Sequence, residues 1–155
     1  ELLCLDLRDP LVTVTLREPC LNVNRHPPYT GTERRADLDA VATSPSGHLF
    51  LVSHDEEDLD RSRQIFRFAV DEEGVFQLED TVETGDTSDT TALVVSGDLL
   101  VRGTTDGIFL HRAAALTESS HHLAGMSLTD VAVLDDTLVA AMGDEGLVVA
   151  ALDCE

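Results

Sequence analysis

Three polar residues occupy corresponding places in the sequence, because Asp39, Thr91 and Asp130 each stand directly before the first strand of a predicted repeat. If such positions converge at one end of the fold, their carboxylate and hydroxyl oxygens could hold a cation or a small polar ligand. The alternative is that they accept hydrogen bonds from nearby backbone amides and stabilise the starts of the strands. The sequence favours this structural role and leaves ligand binding as the second hypothesis.

His121 and His122 are the pair of residues most suggestive of a metal site. Neighbouring side chains on a strand point to opposite faces, so both can ligate one metal only if they lie in a loop. The acidic run from Asp55 to Asp60 lacks the alternating ligands and the central glycine of a calcium loop. It is predicted to be a hydrated loop with weakly associated monovalent cations. A divalent cation elsewhere remains an open alternative, and no catalytic residues are predicted.

Short runs of β-forming residues bounded by Gly, Asp or Ser predict an all-β fold. Residues 92–110 superpose without gaps on residues 131–149, at an offset of 39 positions, and each copy reads as three strands joined by tight turns. A third copy begins at Asp39. We therefore predict three repeats, at about 39–80, 89–125 and 129–154 within the region 37–155. Repeats of 40 to 50 residues with up to four antiparallel strands are typical of β-propeller blades.

The first 36 residues differ from the repeats. Leu2 to Leu7 and Leu11 to Leu16 are predicted to be strands, and a long loop follows them. Since the last repeat offers only three strands, one of the N-terminal strands could complete it. Three to four blades are fewer than or equal to the smallest usual ring, so a fragment of a larger propeller, a small ring and an open array all remain possible. Cys4 and Cys154 are either free thiols or a pair that joins the two ends.

The stretch from Ser44 to Ser53, SPSGHLFLVS, followed by RQIFRFAVDEEG at 63–74, resembles blades of lactonase-type propellers. The segment from Gly146 to Asp153 is similar to quinoprotein-type and WD40-like blades. These resemblances cover residues 39 to 153 and imply a fold more than an activity, because blade motifs encode strands and turns. Quinone binding is not implied, since the chain has no Trp, and the catalytic residues of the lactonase type do not map onto it.

The charge balance bounds the partners and the surroundings of the chain. Thirty acidic residues face ten basic ones, giving a formal net charge of −20, and all ten basic residues are Arg. An Asp-rich surface without Lys resembles proteins of haloarchaea and predicts a cytoplasm of high salt, where screening relieves the repulsion. Nucleic-acid binding is disfavoured because it needs clustered positive charge. No apolar run is long enough for a membrane helix.

Together these patterns favour a non-catalytic propeller scaffold that binds a protein partner or a second copy of itself. The alternatives are a lactonase-type hydrolase with a metal in an acidic channel, and a sensor of a small ligand held in that channel. Tightly bound divalent metal would favour the hydrolase. A protein that co-purifies in stoichiometric amount would favour the scaffold.

We predict that the folded chain is lost when salt falls from molar concentration to about 0.1 M, because the Debye length then grows from roughly 3 to 10 Å and the acidic groups repel one another. Circular dichroism during dialysis against decreasing KCl measures this. Equal cooperative unfolding transitions at both salt concentrations would contradict the halophilic interpretation.

Overall fold

A computed structural model describes residues 36–55, 63–71 and 76–152 of the chain. These residues form eleven strands and one 3-10 turn at Gly143–Glu145, so the all-β prediction is confirmed. The predicted N-terminal strands, both cysteines of the proposed pair and most of the acidic run 55–60 lie outside the described residues. In the part described, no helix is long and apolar enough to cross a membrane.

The strands pair into three antiparallel sheets that follow one another along the chain. The first sheet has the order β1-β2-β3-β4, the second β5-β6-β7-β8 and the third β11-β10-β9, so its chain order is reversed only in the listing direction and β9 still lies at one edge. The bounds of the first sheet are β1 Ala36–Thr43, β2 His48–Asp55, β3 Gln64–Val70 and β4 Phe76–Glu83. Those of the second are β5 Thr90–Ser96, β6 Leu99–Thr104, β7 Gly107–Arg112 and β8 Ala115–His122. Those of the third are β9 Asp130–Leu134, β10 Thr137–Ala141 and β11 Leu147–Ala151.

Each sheet arises from meandering hairpins whose turns are encoded locally. Gly107, at φ +125°, starts β7, and a Cβ there would meet the carbonyl oxygen of His122 at 2.6 Å. Only glycine fits that position, because the backbone conformation and the neighbouring strand both exclude a side chain. Ala115 begins a strand, and the helical turn considered for Ala113 to Leu116 is absent there.

The sheets stack face to face, and two apolar clusters lie between them. One cluster joins Phe50, Val52 and Ile65 of the first sheet to Leu93, Leu100 and Leu116 of the second. The other joins the second sheet to the third and includes Val101, Ile108, Leu128, Val131, Leu138 and Ala140. We call the face that meets the following sheet the forward face, and the opposite one the rear face.

The strand pairing gives the correspondence between sheets. Ala40 pairs with Val52, Ala92 with Gly103 and Asp130 with Ala141, and these pairs lie at the same level of the three sheets. The hairpin pairs Ser96 with Leu99 and Leu134 with Thr137 correspond as well. The offset between the second and third sheets is therefore 38 residues in the first two strands, and becomes 39 only at the third strand. The gapless superposition at 39 residues was wrong by one position there.

One residue pair tests how strongly the stacking stabilises the fold. Leu100 is fully buried between the first and second sheets, whereas Leu134 is 73% exposed. We expect Leu100→Ala to lower the free energy of unfolding by about 2–5 kcal/mol, since it removes buried apolar area and leaves a cavity. Leu134→Ala is the matched control, with an expected change below about 0.5 kcal/mol. Urea unfolding in molar salt measures both, and equal effects would contradict the stacked arrangement.

Candidate functional site

The residues predicted as a polar site stand at one end of the sheets, but only two of them correspond. The pairing of β1 with β2 skips Asp39, and the pairing of β5 with β6 skips Thr91, so both are the extra residues of β-bulges. Asp130 instead pairs in register with Ala141, and the residue that corresponds to Asp39 and Thr91 is Thr129. The expected set of three equivalent residues is thus corrected, because the third sheet has no bulge at this level.

Asp39 is engaged by two basic side chains. Its Oδ1 lies 2.6 Å from Nδ1 of His54, and its Oδ2 lies 3.6 Å from Nε of Arg63. The first contact is a hydrogen bond, whereas the second is an ion pair that is too long for one. Burial raises the pKa of Asp39, while the hydrogen bond from His54 and the charges of His54 and Arg63 act in the opposite direction.

Thr91 and Asp130 are exposed, and each is separate from Asp39 in its contacts. Asp130 accepts a hydrogen bond at Oδ1 from the backbone N–H of Val131, at 2.8 Å. This is the strand-stabilising role that the sequence favoured. A shared ligand-binding role for the three residues finds no geometric support in these contacts.

His121 and His122 are on β8 and point to opposite faces, as their strand position requires. The ring of His121 stacks on Phe109 at a centroid distance of 4.1 Å, and its Nε2 lies 2.9 Å from the carbonyl oxygen of Asp106. His122 pairs through Nε2 with the hydroxyl of Ser120 at 2.8 Å. The described residues contain no group of three or more His, Cys, Asp or Glu side chains that could hold a metal ion.

The strongest polar constellation was not predicted from the sequence. It is an arginine–aspartate cluster between the first and second sheets, formed by Asp39, Arg63, Asp86, Asp89 and Arg102. Arg63 is 3% exposed and Arg102 is fully buried. Nη2 of Arg63 donates to Oδ1 of Asp89 at 2.5 Å, and Nη2 of Arg102 donates to Oδ2 of Asp86.

The linker 84–89 between the two sheets supplies both of these carboxylates. Its backbone is also bound by Arg63, whose N–H donates to the carbonyl of Asp86 at 3.1 Å and whose carbonyl accepts from Thr84 at 2.8 Å. Oδ1 of Asp86 accepts from the N–H of Ser88 at 3.1 Å, which leaves Oδ2 directed at Arg102. The linker is therefore held to the first sheet by its backbone and to the second by a side chain.

Arg102 stands at a position that is apolar in the other sheets. Its counterparts by strand pairing are Leu51 and Ala140. Its guanidinium lies 4.5 Å from the ring centroid of Phe109, which itself stacks on His121. Burial lowers the pKa of Arg102, and the neighbouring Asp86 opposes that shift. An arginine amid the β-forming residues of a predicted inner strand was the one sequence signal that could have revealed the cluster.

The cluster is suited to holding sheets together rather than to catalysis. Each of its carboxylates contacts an arginine, so none is free to ligate a metal through both oxygens. Among the described residues, no hydroxyl group hydrogen-bonds His54 in the manner of a nucleophile beside its base. The His54–Asp39 pair accordingly orients side chains at the sheet end.

Comparison with known proteins identifies no family. No protein-family model matches the chain, and no curated protein matches it. Among solved structures, the computationally designed Ika4 protein is 16% identical with a TM-score of 0.39, over 76% of this chain and 92% of that one. The designed Ika8 protein is 16% identical with a TM-score of 0.40, over 74% of this chain and 46% of that one.

A third structural match is PorZ of Porphyromonas gingivalis, described as a bacterial surface component of the type-IX secretion system. It is 12% identical with a TM-score of 0.35, and the match covers 76% of this chain. The chain spans only 20% of the length of that protein.

Two arginine–aspartate pairs allow a matched test of the cluster. Arg102→Met removes a fully buried partner of Asp86, whereas Arg112→Met removes an exposed partner of Asp98. We expect Arg102→Met to lower the free energy of unfolding by about 3–5 kcal/mol, because a largely buried carboxylate is left without its counter-ion. Arg112→Met should change it by less than about 1 kcal/mol. Denaturant unfolding in molar salt measures both, and a stable Arg102→Met variant would show that the cluster contributes little.

Proposed function

We propose that this chain is a non-catalytic scaffold of stacked, propeller-type sheets that binds another protein through the forward face of its third sheet. The observation that carries the proposal is that this face is apolar and uncovered. Its largest side chains, Leu134, Leu147 and Val149, are 73%, 68% and 66% exposed. Ala132 and Ala151 on the same face are exposed too.

The forward faces of the other two sheets support this interpretation. Each packs against the rear face of the following sheet and forms one of the two apolar clusters. The third sheet presents the same kind of face but has no following sheet among the described residues. The surface is therefore shaped to pack against an antiparallel sheet, and we infer a partner that presents one with an apolar face.

The charge distribution is consistent with a hydrophobic contact of this kind. Of the strand residues on this face, only Asp130 at its end carries a charge, in a chain of formal net charge −20. In molar salt, ion pairs at a surface are screened, whereas burial of apolar area still stabilises association. An apolar face is thus the effective means of binding a partner in the high-salt cytoplasm that we propose for this chain.

The hydrolase alternative has less support. A metal-dependent lactonase-type mechanism needs carboxylates that are free to ligate a cation, and Asp39 is paired with His54 and Arg63. Asp130 caps its own strand. A small-ligand sensor would likewise need the converging polar groups that these residues do not form.

Substitutions on the forward face test the proposal. We expect the doubly substituted chain Leu147→Asp with Val149→Asp to bind its partner at least about tenfold more weakly, because two charges would be buried in the contact. The control is Thr117→Asp with Glu118→Gln, which alters exposed positions of β8 instead. The partner is isolated in molar salt with the unaltered chain, and its affinity for each variant is measured by titration calorimetry.

The proposal predicts unaltered affinity for the β8 variant and cross-links from the partner to β9 or β11. Equal affinities of all variants would contradict it, as would a chain that remains monomeric with no stoichiometric partner. A divalent metal bound stoichiometrically to the purified chain would favour the hydrolase instead.

A further inference from the structure

The third sheet ends in an unprotected strand. In the first and second sheets the third strand is covered by a fourth, β4 or β8, but β11 has no neighbour on its outer side among the described strands. Its sequence, Leu-Val-Val-Ala-Ala, contains no charge and no proline. Natural edge strands are usually protected by such residues, since free N–H and C=O groups invite pairing. The composition of β11 is that of an inner strand.

The exposure of β8 shows that a strand is missing opposite it. Residues of β4 alternate between half-buried and exposed, as expected for an outer strand that packs on a neighbouring sheet. From Thr117 to His122, in contrast, every residue of β8 is exposed. The forward side of β8 would face a fourth strand of the third sheet, and no described residue occupies that place.

A cleft lies where this strand would run. It has a volume of about 600 Å³ and is lined on its inner side by Leu110, Leu123, Leu138 and Leu152. Ser120 and His122 of β8 stand at its polar rim. An extended segment with apolar side chains on one side and hydroxyl groups on the other would fit this lining while pairing with β11.

We propose that residues 11–16 of this chain form that fourth strand, antiparallel to β11. Their sequence, Leu-Val-Thr-Val-Thr-Leu, alternates so that Val12, Val14 and Leu16 share one side and Thr13 and Thr15 the other. The apolar side enters the cleft, and the threonines continue the forward face. The antiparallel direction follows the pairing of β3 with β4 and of β7 with β8.

Chain length and charge favour this segment over a strand from a second copy. Residues 17–35 separate it from β1 and span up to roughly 60 Å when extended, which is enough to pass around a small domain. Pairing within one chain also avoids bringing together two molecules of formal net charge −20. An intramolecular strand has an effective concentration on the order of millimolar, so it needs little intrinsic affinity.

Disulfide trapping in the full chain tests the inference. The three native cysteines are replaced by Ser, and Val149→Cys is combined in turn with Thr13→Cys and with Val14→Cys. Mild oxidation in molar salt should join at least one of these pairs within a single chain, as seen by mass spectrometry of the proteolysed product. The control is Leu134→Cys with the same N-terminal cysteines, because Leu134 is exposed on the opposite edge strand of the same sheet.

Hydrogen exchange gives an independent measurement. Amides of β11 should be protected in the unaltered chain and should exchange at least about tenfold faster in Val14→Pro, which removes a donor and breaks the strand. Thr32→Pro, outside both predicted N-terminal strands, should leave this protection unchanged.

Three results would overturn the inference. These are a Val149 disulfide that forms only between two chains, which would identify a second copy as the occupant, equal trapping in the Leu134 control, and β11 amides that exchange freely in the unaltered chain. Because the forward-face substitutions leave residues 11–16 intact, failure of this inference can be distinguished from failure of the partner-binding proposal.

Discussion

Apolar packing between successive sheets is the interaction on which the rest of this structure depends. Each sheet is a meander of short hairpins, and such a small sheet is not stable alone when both of its faces are apolar. Phe50, Leu100 and Ile108 are each 1% exposed or less, and they bury their side chains only because a neighbouring sheet is present. The linkers, the bulges and the polar contacts serve to bring one face onto the next in register.

The arginine–aspartate cluster shows how the stacking is given a specific geometry. Apolar faces alone would tolerate sliding of one sheet over another, because hydrophobic burial has no strong directional preference. Arg102 and Arg63 bind carboxylates of the linker 84–89, so the second sheet is positioned against the first by directional contacts. A buried charge pair contributes little net stability, but breaking it is costly, and it therefore disfavours alternative arrangements.

The same packing rule explains the surfaces proposed for binding. A stack of sheets always ends in a face that no further sheet covers, and here that face carries Leu134, Leu147 and Val149. The third sheet also lacks its outer strand, which leaves the backbone of β11 and the cleft beside it open. Both features follow from interrupting a repeated arrangement, and both would be relieved by another β-structured element.

The sequence alone determined the strand content, the three repeats with their turns and the acidic surface, because alternation, turn residues and charge are local properties. The strands from His48 to Asp55 and from Gln64 to Val70 were legible in this way. Only the tertiary structure decided which residues meet. The missing bulge in the third sheet moved Asp130 away from the level of Asp39 and Thr91, and no local pattern reports such a shift of one residue. The pairing of Arg102 with Asp86 likewise depends on how a linker folds back over the next sheet, since sequence patterns describe a strand's two faces but not what lies against them.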